Sequence, residues 1–272
     1  MFKYFGRVII SEAFKQHKNY FHSKVIYFTM LLWPILLFLT AYYTYKPFRL
    51  EAATKHISYL SEENLITFIL IGYVAQMFFR SFVQSAWFFS FERIYGTLEL
   101  IYLSPANRLA LVFGNALSSL LQNVWLFVVF SVGIVIVLKN IIFPGLLMTL
   151  VGVLALFIPS IMWGGLLNSM FLFSRDTRIL FTVLEEPMEL FGGVKIPVSI
   201  FPFWAKGISY IFPLTHSIKI LRRIFLKGES LIELIPILSF VLCLSLFMLL
   251  LTMVLLKLGE RYAKRTGNMA LF

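Results

Sequence analysis

Charged residues are scarce in this sequence: Asp, Glu, Lys and Arg together make up 14% of its 272 residues, whereas 60% are apolar. A soluble domain carries about 25% charged residues, so the composition excludes an ordinary soluble surface. Cys243 is the single cysteine, which excludes an intrachain disulfide and a cysteine-based metal site. Acidic residues are also few, 13 against 24 basic ones, and the net charge of +11 is typical of a protein that contacts anionic phospholipid headgroups.

The sequence is rich in long apolar runs. About 20 apolar residues are needed for a helix to cross a bilayer core of roughly 30 Å. The runs predict an all-α polytopic membrane protein with six transmembrane helices, which form a single transmembrane domain over residues 1–272. The predicted spans are 25–45, 65–90, 109–138, 141–173, 179–194 and 231–256.

Two segments outside these spans are predicted to lie at the membrane surface. Residues 1–24 can place apolar and basic side chains on separate helical faces, which is typical of an interfacial helix; a helix packed on a partner is the alternative. Prolines divide residues 195–230 into short pieces, so we expect an external re-entrant helical hairpin between spans five and six. Outside that hairpin, Lys and Arg are concentrated on the side that holds both termini, which predicts cytoplasmic termini.

The segment 91–108, between spans two and three, has the features of a short force-transmitting helix. Gly96 permits a turn, and Thr97–Leu103 can form an amphipathic helix in the cytoplasmic interface. Ser104 and Pro105 have the residue types of a helix N-cap and first turn, so they are predicted to begin span three. An ordinary interfacial turn is the alternative interpretation.

Polar side chains interrupt two of the predicted spans. In span two they recur every four residues on one helical face, and span five carries three glutamates. An unpaired charge at that depth costs at least a few kcal/mol, so we expect Arg80 to pair with Glu185 or Glu186 beside a polar path through the membrane. A static ion pair that only fixes helix packing is the alternative. The residues of this predicted path are Gln76, Arg80, Gln84, Glu185, Glu186 and Glu189.

The predicted hairpin is strongly basic. Lys219, Arg222, Arg223 and Lys227 are spaced so that three of them can share a helical face. They could bind an anionic headgroup or an anionic exported molecule. Long basic side chains also snorkel to lipid phosphates, and the sequence alone favours that interpretation.

Three motifs in this order resemble one known family. A Glu followed by Gly-Thr-Leu-Glu and Ser-Pro stands after span two, Gly-x-x-x-Pro-x-Ser-x-x-Pro-x-Trp stands after span five, and Pro-Leu-Thr precedes Leu-Arg. The combination is similar to the type-2 ABC exporter permeases, which include drug, antibiotic, lipo-oligosaccharide and polysaccharide exporters. The matching residues are Glu92, Gly96–Glu99, Ser104, Pro105, Gly192–Val194, Pro197–Ser199, Pro202–Trp204, Pro213–Thr215, Leu221 and Arg222.

The resemblance implies how such a chain is driven. In that family the loop helix is a coupling helix that docks on a separate ATPase subunit, and permease dimers work with two ATPases that bind ATP and Mg. The sequence has no Gly-x-x-x-x-Gly-Lys-Ser/Thr phosphate loop of its own. Coupling to the ATPase is thereby implied for Glu92, Gly96, Thr97, Leu98, Glu99, Leu100, Tyr102, Ser104 and Pro105.

The resemblance also implies that the hairpin closes the outer side. The basic residues of the hairpin, however, differ from what a purely apolar gate would contain. The implied external gate comprises Gly192, Gly193, Pro197, Pro202, Pro213, Arg222 and Arg223.

We therefore expect the permease subunit of an ATP-driven exporter for an amphipathic or lipid-like substrate, such as a drug, an antibiotic peptide or a glycolipid, in a bacterial plasma membrane. Expected partners are two copies of an ABC ATPase, a second or paralogous permease, and membrane lipids, with no nucleic acid and no cofactor or metal on this chain. An ion-coupled carrier that uses Arg80 with Glu185 or Glu186 is the alternative. A membrane transferase or protease is disfavoured because the sequence has no Asp-x-x-Asp or His-Glu-x-x-His pattern.

Overall fold

The computed structural model describes residues 2–45, 64–97, 100–101, 104–137, 145–173 and 177–266. Within these ranges the chain is helical and contains no strand, which confirms the predicted all-α fold there. Its α-helices are α1 (Phe2–Gln16), α2 (Lys24–Tyr45), α3 (Leu65–Ile94), α4 (Arg108–Leu117), α5 (Leu120–Val137), α6 (Gly145–Phe173), α7 (Thr177–Phe191), α8 (Phe203–Ile211), α9 (Pro213–Lys227) and α10 (Leu231–Thr266). A π-helix (His17–Phe21) follows α1, and a short 3-10 helix (Val198–Ile200) precedes α8.

Four stretches of the described chain are long and apolar enough to cross a membrane. They are Ile66–Glu92, Arg108–Val129, Gly145–Met170 and Leu231–Tyr262. Helices α2 and α7 occupy the other two predicted spans, but neither is among the four. The 15 residues of α7 extend only about 22 Å, which is shorter than a bilayer core. The count of six spans therefore stays a prediction.

Helix α3 lies at the centre of the fold. It packs against α2, α4, α5, α6, α7 and α9. Phe78, Phe79 and Phe82 are completely buried along it, and the ring centroid of Phe78 lies 4.7 Å from that of Phe157 in α6. Since aromatic side chains bury more apolar area than any others, this phenylalanine-rich interface is the main packing contribution to the core.

The start of α4 differs from the prediction. Asn107, not Ser104, is the N-cap, because its Oδ1 accepts hydrogen bonds from the backbone N–H groups of Leu109 (2.9 Å) and Ala110 (3.3 Å). The Ser104 hydroxyl instead donates to the carbonyl of Ile101 (2.6 Å). The N-cap role predicted for Ser104 and Pro105 is therefore wrong.

Span three is also interrupted, because α4 ends at Leu117 and α5 begins at Leu120. Ser118 and Ser119 form the turn between them, and each hydroxyl donates to the carbonyl three residues earlier. Such back-bonding competes with the helical backbone and bends helices.

The two helices of the predicted hairpin are present. Phe212 separates α8 from α9, and Pro213 stands at the first turn of α9, where its missing N–H carries no penalty. Most of α9 is buried, because it packs against α3, α6 and α10. That this pair re-enters the membrane stays a prediction.

Candidate functional site: buried charges along helix α3

The carboxylate of Glu92 is buried at the end of α3, 7% exposed, and it joins two other segments of the chain. Its Oε1 accepts a hydrogen bond from Gln16 Nε2 (2.7 Å) and lies 3.1 Å from Lys15 Nζ. The Thr97 hydroxyl donates to its Oε2. Because α3 continues to Ile94, Glu92 is a helical residue at the edge of the predicted loop, and it ties the loop to helix α1.

Helix α1 completes this network with a second carboxylate. Glu12 Oε1 lies 2.8 Å from Lys15 Nζ and accepts from Gln16 Nε2 at 2.9 Å. Lys15 and Gln16 thus bridge two acidic side chains. Hydrogen bonds to ionised groups are stronger than neutral ones, so α1 is held to the end of α3 by several charge-assisted bonds. We call the set Glu12, Lys15, Gln16, Glu92 and Thr97 the Glu92 cluster.

Helix α1 packs closely on α4. At Gly114 an added Cβ would lie 2.7 Å from the Glu12 Cβ and 2.9 Å from the Ile9 carbonyl oxygen, so only glycine allows this approach. His17 continues the contact, because its Nδ1 donates to the Ser118 carbonyl (2.9 Å) that the helix break leaves available. The N-terminal helix of this chain is therefore packed on α4 as well as on the end of α3.

The loop after α3 presents apolar side chains outward. Ile94, Tyr95 and Leu100 are 65–68% exposed, and Gly96 makes the turn with a positive φ of 71°. Pro105 is exposed and Ser104 is half-buried. Four residues of the predicted coupling helix, Leu98, Glu99, Tyr102 and Leu103, lie outside the described residues.

The middle of α3 carries an ion pair. Arg80 Nε lies 3.0 Å from Glu185 Oε1 in α7, and the Glu185 side chain is 6% exposed. The other glutamates of α7 differ: Glu186 is exposed, and Glu189 pairs with Lys195 (2.9 Å). The structure thus brings together one Arg–Glu pair of the predicted path, while the other two acids face elsewhere.

A cavity of about 500 Å³ lies beside Arg80, between α2, α3 and α5. Arg80, Ser81 and Gln84 of α3 supply polar atoms, as do the hydroxyl groups of Tyr20 and Thr29, and the rest of the lining is largely apolar. Its main apolar lining residues are Ile26, Leu32, Leu36, Met77, Phe88 and Leu126. Gln76 of the predicted path is instead buried in the core, 1% exposed. A mostly apolar cavity with a few convergent polar groups is typical of a site for an amphipathic molecule.

Sequence reasoning missed a set of small polar side chains that link α3, α4, α5 and α6. The Ser81 hydroxyl donates to Asn123 Oδ1, and Asn115 Nδ2 donates to both the Ser85 carbonyl (3.0 Å) and Asn168 Oδ1. Asparagines at these positions interrupt the apolar runs, which is the signal that could have identified them. Such bonds between helices are satisfied inside the protein, where lipid offers no partner.

The guanidinium of Arg222 is buried, 4% exposed, near the other end of α3. Its Nη1 donates to the Gly193 carbonyl (2.7 Å), and its Nη2 donates to the carbonyls of Val194 (2.7 Å) and Phe68 (3.1 Å). The predicted snorkelling of Arg222 to lipid is therefore wrong, because the side chain turns inward to backbone oxygens of α3 and of the segment that follows α7.

Gly72 makes this arrangement possible. An added Cβ there would lie 2.3 Å from the Val194 carbonyl oxygen and 2.9 Å from Arg222 Nη2, so any side chain would displace one of them. We call Phe68, Gly72, Gly193, Val194 and Arg222 the Arg222 cluster.

The remaining predicted gate residues have separate positions. Arg223 Nε lies 2.5 Å from Glu229 Oε2, and Lys227 lies 3.4 Å from the same carboxylate. Gly192, Pro197 and Pro213 are buried, whereas Pro202 is exposed. Glu229 therefore offsets part of the basic charge that the sequence showed in this region.

These features define a helical membrane protein whose central helix is contacted by, or carries, a buried charged side chain near each end and in its middle, namely Arg222, Glu92 and Glu185. The sequence model of the ABC-2 type transporter family matches residues 9–226, which is most of the chain. The chain belongs to this family, and it is the transmembrane permease component of an ABC transporter. Such a component has no ATP site of its own and implies an ABC ATPase partner. Comparison with curated protein sequences gives no match.

Proposed function

We propose that this chain is the permease subunit of an exporter that moves an amphipathic or lipid-like substrate out of the cytoplasm or the inner leaflet. A separate ATPase drives it by pressing on the coupling helix over residues 97–103, and transport proceeds by alternating access. In this proposal the permease works as a dimer with itself or a paralogue, and two ATPases hold the ATP and Mg. The assembly lies in a bacterial plasma membrane with both permease termini in the cytoplasm.

The observation that carries the proposal is the Glu92 cluster. Its five side chains join α1, the end of α3 and the start of the loop through buried charge-assisted bonds. A displacement of the loop is therefore passed to two helices at once. Since α3 packs against six other helices, a displacement at its end acts on the centre of the transmembrane domain.

The exposed side chains of Ile94, Tyr95 and Leu100 support the same assignment. Large apolar side chains that stay exposed beside a buried charged cluster are typical of a protein interface. They stand on both sides of Gly96, where the family resemblance places the ATPase contact. We propose that they form the docking patch for the ATPase.

The cavity beside Arg80 supports an amphipathic substrate. Its apolar walls suit a hydrocarbon or aromatic portion, and Arg80, Ser81 and Gln84 suit a polar portion. We propose that this cavity is part of the transport path, and that the Arg80–Glu185 pair borders it.

Photo-crosslinking tests the coupling. A photoreactive phenylalanine analogue at Tyr95 or Leu100 in the full chain should form an adduct with an ATP-binding protein in native membranes. The matched control is Ile232 at the start of α10, which is 78% exposed but lies far along the chain from the loop. Mass spectrometry identifies the adduct. Crosslinking of an ATPase at Ile232 and not at Tyr95 or Leu100 would contradict the proposal.

One observation favours a second candidate, an ion-coupled carrier. Glu185 is buried, and within the described residues its Oε2 has no hydrogen-bond partner, as a proton-accepting group in a relay requires. Transport by the purified chain in liposomes under a proton gradient, without any ATPase, would support the carrier. Transport only after an ATPase and ATP are added would support the exporter.

A further inference from the structure

A small cleft of about 180 Å³ lies between α8, the first turns of α9 and residues 192–199. Its lining combines apolar residues with basic and hydroxyl side chains, and no acidic residue is among them. It is separate from the cavity beside Arg80 and shares no lining residue with it. Its basic lining residues are Lys206, His216, Lys219 and Arg222.

Two lysines of the cleft have no acidic side chain within ion-pair distance in the described part of the chain. Lys206 and Lys219 take part in none of the ion pairs found there, which include Lys195 with Glu189 and Arg223 with Glu229. The carbonyl oxygens around Arg222 orient its guanidinium without cancelling its charge. The cleft therefore concentrates positive charge in a partly enclosed space, where electrostatic interactions are stronger than in water.

The positions of two of these basic side chains are fixed. His216 Nε2 donates to the Tyr210 carbonyl (3.0 Å), because a carbonyl can only accept, and this bond sets the orientation of the ring. Arg222 is held by its three carbonyl bonds. Fixed donors and charges bind an anion at lower entropic cost than free lysine chains.

Thr215 is the observation that points to a ligand. Its side chain is 6% exposed and lines the cleft, yet its Oγ1 has no hydrogen-bond partner among the described residues. A buried hydroxyl without a hydrogen-bond partner costs about 1–3 kcal/mol. The binding of a ligand that accepts a hydrogen bond from this hydroxyl would therefore be favoured. Thr215 also lies in the first turn of the 15-residue helix α9, where the helix dipole favours an anion.

We infer that this cleft binds a phosphate group, with Lys206 and Lys219 as charge partners and Thr215 as a hydrogen-bond donor. The volume corresponds to about six water molecules, which is enough for a phosphate. The phosphate can belong to a phospholipid headgroup or to a soluble compound, and the chemistry of the cleft is the same for both. This inference does not rest on the proposed coupling to an ATPase.

Phosphate binding is testable with the full chain in dodecyl maltoside, a detergent without phosphate. Inorganic phosphate should raise the thermal unfolding midpoint, followed by tryptophan fluorescence, more than chloride at the same ionic strength. Lys219→Gln and Thr215→Val should each weaken the apparent affinity at least fivefold. Lys227→Gln, on the same helix but outside the cleft, should leave it unchanged, and Thr215→Ser should retain binding because it keeps the hydroxyl.

The source of the phosphate is decided by a second arm. If phosphatidylglycerol in the micelles suppresses the response to inorganic phosphate and phosphatidylcholine at the same amount does not, the cleft takes an anionic lipid headgroup. If neither lipid suppresses it, the cleft takes a soluble phosphate. Equal responses to phosphate and chloride would overturn the inference. Loss of binding in Lys227→Gln as large as in Lys219→Gln would also overturn it, since the effect would then reflect overall charge.

Discussion

The two ends of helix α3 are held by opposite kinds of buried charge. At one end the carboxylate of Glu92 is surrounded by donor side chains from α1 and the loop. Toward the other end the guanidinium of Arg222 is surrounded by backbone carbonyls from α3 and from residues 193–194. The two clusters are 24 residues apart along α3, from Phe68 to Glu92, or about 36 Å by helical rise.

The difference teaches which end can move. Side-chain donors such as Lys15 and Gln16 rotate about several bonds and can exchange partners while the backbone stays helical. Backbone carbonyls cannot rotate independently, and Arg222 packs closely against the backbone at Gly72, where an added Cβ would lie 2.9 Å from Nη2. We therefore expect the Glu92 cluster to rearrange during transport and the Arg222 cluster to stay rigid.

Removal of Arg222 should have the largest effect on this comparison. Arg222→Ala leaves three buried carbonyls without this donor, and we expect a loss of about 3 kcal/mol in the free energy of unfolding. Arg222→Lys should recover only part of it, because one ammonium cannot reproduce two nitrogens that bind different carbonyls. Thermal unfolding of the purified chain measures both. If Arg222→Ala were as stable as the original chain, the Arg222 cluster would not stabilise this end of α3, and the expectation that it stays rigid would be wrong.

The ion pair in the middle of α3 should give the next largest effect. Arg80→Gln leaves the buried carboxylate of Glu185 without its ion pair to Arg80. We expect a loss of about 2 kcal/mol in the free energy of unfolding. This is less than for a fully buried pair, because Arg80 is partly exposed. The double variant Arg80→Gln with Glu185→Gln should recover most of the stability, since no buried charge remains.

Transport separates the two roles of that pair. A static bridge predicts that the double variant transports normally. A role in the path predicts that transport stays low although the protein is stable. Unchanged stability and unchanged transport in Arg80→Gln would show that the pair has neither role.

Glu92→Gln should affect transport more than stability. The amide is the same size and keeps one acceptor oxygen, so we expect a loss of only about 1–2 kcal/mol in the free energy of unfolding. The ion pair with Lys15 is lost, which weakens the connection between α1 and the end of α3 while the Gln16 hydrogen bond can remain. Substrate-dependent ATP hydrolysis by the assembled transporter should fall severalfold while the amount of bound ATPase stays constant. Normal coupling in this variant would place force transmission elsewhere.

Lys15→Gln should have the smallest effect. Burial lowers the pKa of Lys15, but its hydrogen bond to Glu12 and the charges of Glu12 and Glu92 outweigh burial and raise the pKa above 10.5. The contribution of Lys15 is therefore complete below pH 10.5 and lost only as the pH rises through the raised value. Because the side chain is 38% exposed, we expect about 0.5 kcal/mol, weakened by salt and constant between pH 6 and 9. Stability curves at two salt concentrations check this.

Much of the fold follows from local patterns. Apolar runs and proline positions predict most helices, including the short helices α8 and α9 on either side of Phe212. The prediction failed where small polar side chains act. Ser118 and Ser119 divide a run that looks continuous in composition, and Asn107 takes the cap that Ser104 was expected to form. A hydroxyl in an apolar run does not reveal whether it bonds to its own helix or starts a turn.

The candidate site was predictable where the free-energy cost of burying an unpaired charge is the dominant effect. A charge in an apolar run must find a partner, and this argument leads to the Arg80–Glu185 contact. The partners of Glu92 and Arg222 were not predictable in the same way. Several acids and bases were available to each. Helical periodicity also places a side chain on one face of its helix, but it does not indicate which other helix packs against that face.

The amino-acid sequence by itself determined that this chain is a helical membrane protein, that it carries the ordered motifs of a permease, and that a few charges lie where lipid would not accept them. Only the tertiary structure decided the partners: Gln16 for Glu92, 76 residues away, and the Phe68 carbonyl for Arg222, 154 residues away. The physical reason is that helix formation depends on neighbours within one or two turns. The pairing of buried charges depends on how closely distant helices approach, and here Gly72 and Gly114 set that approach.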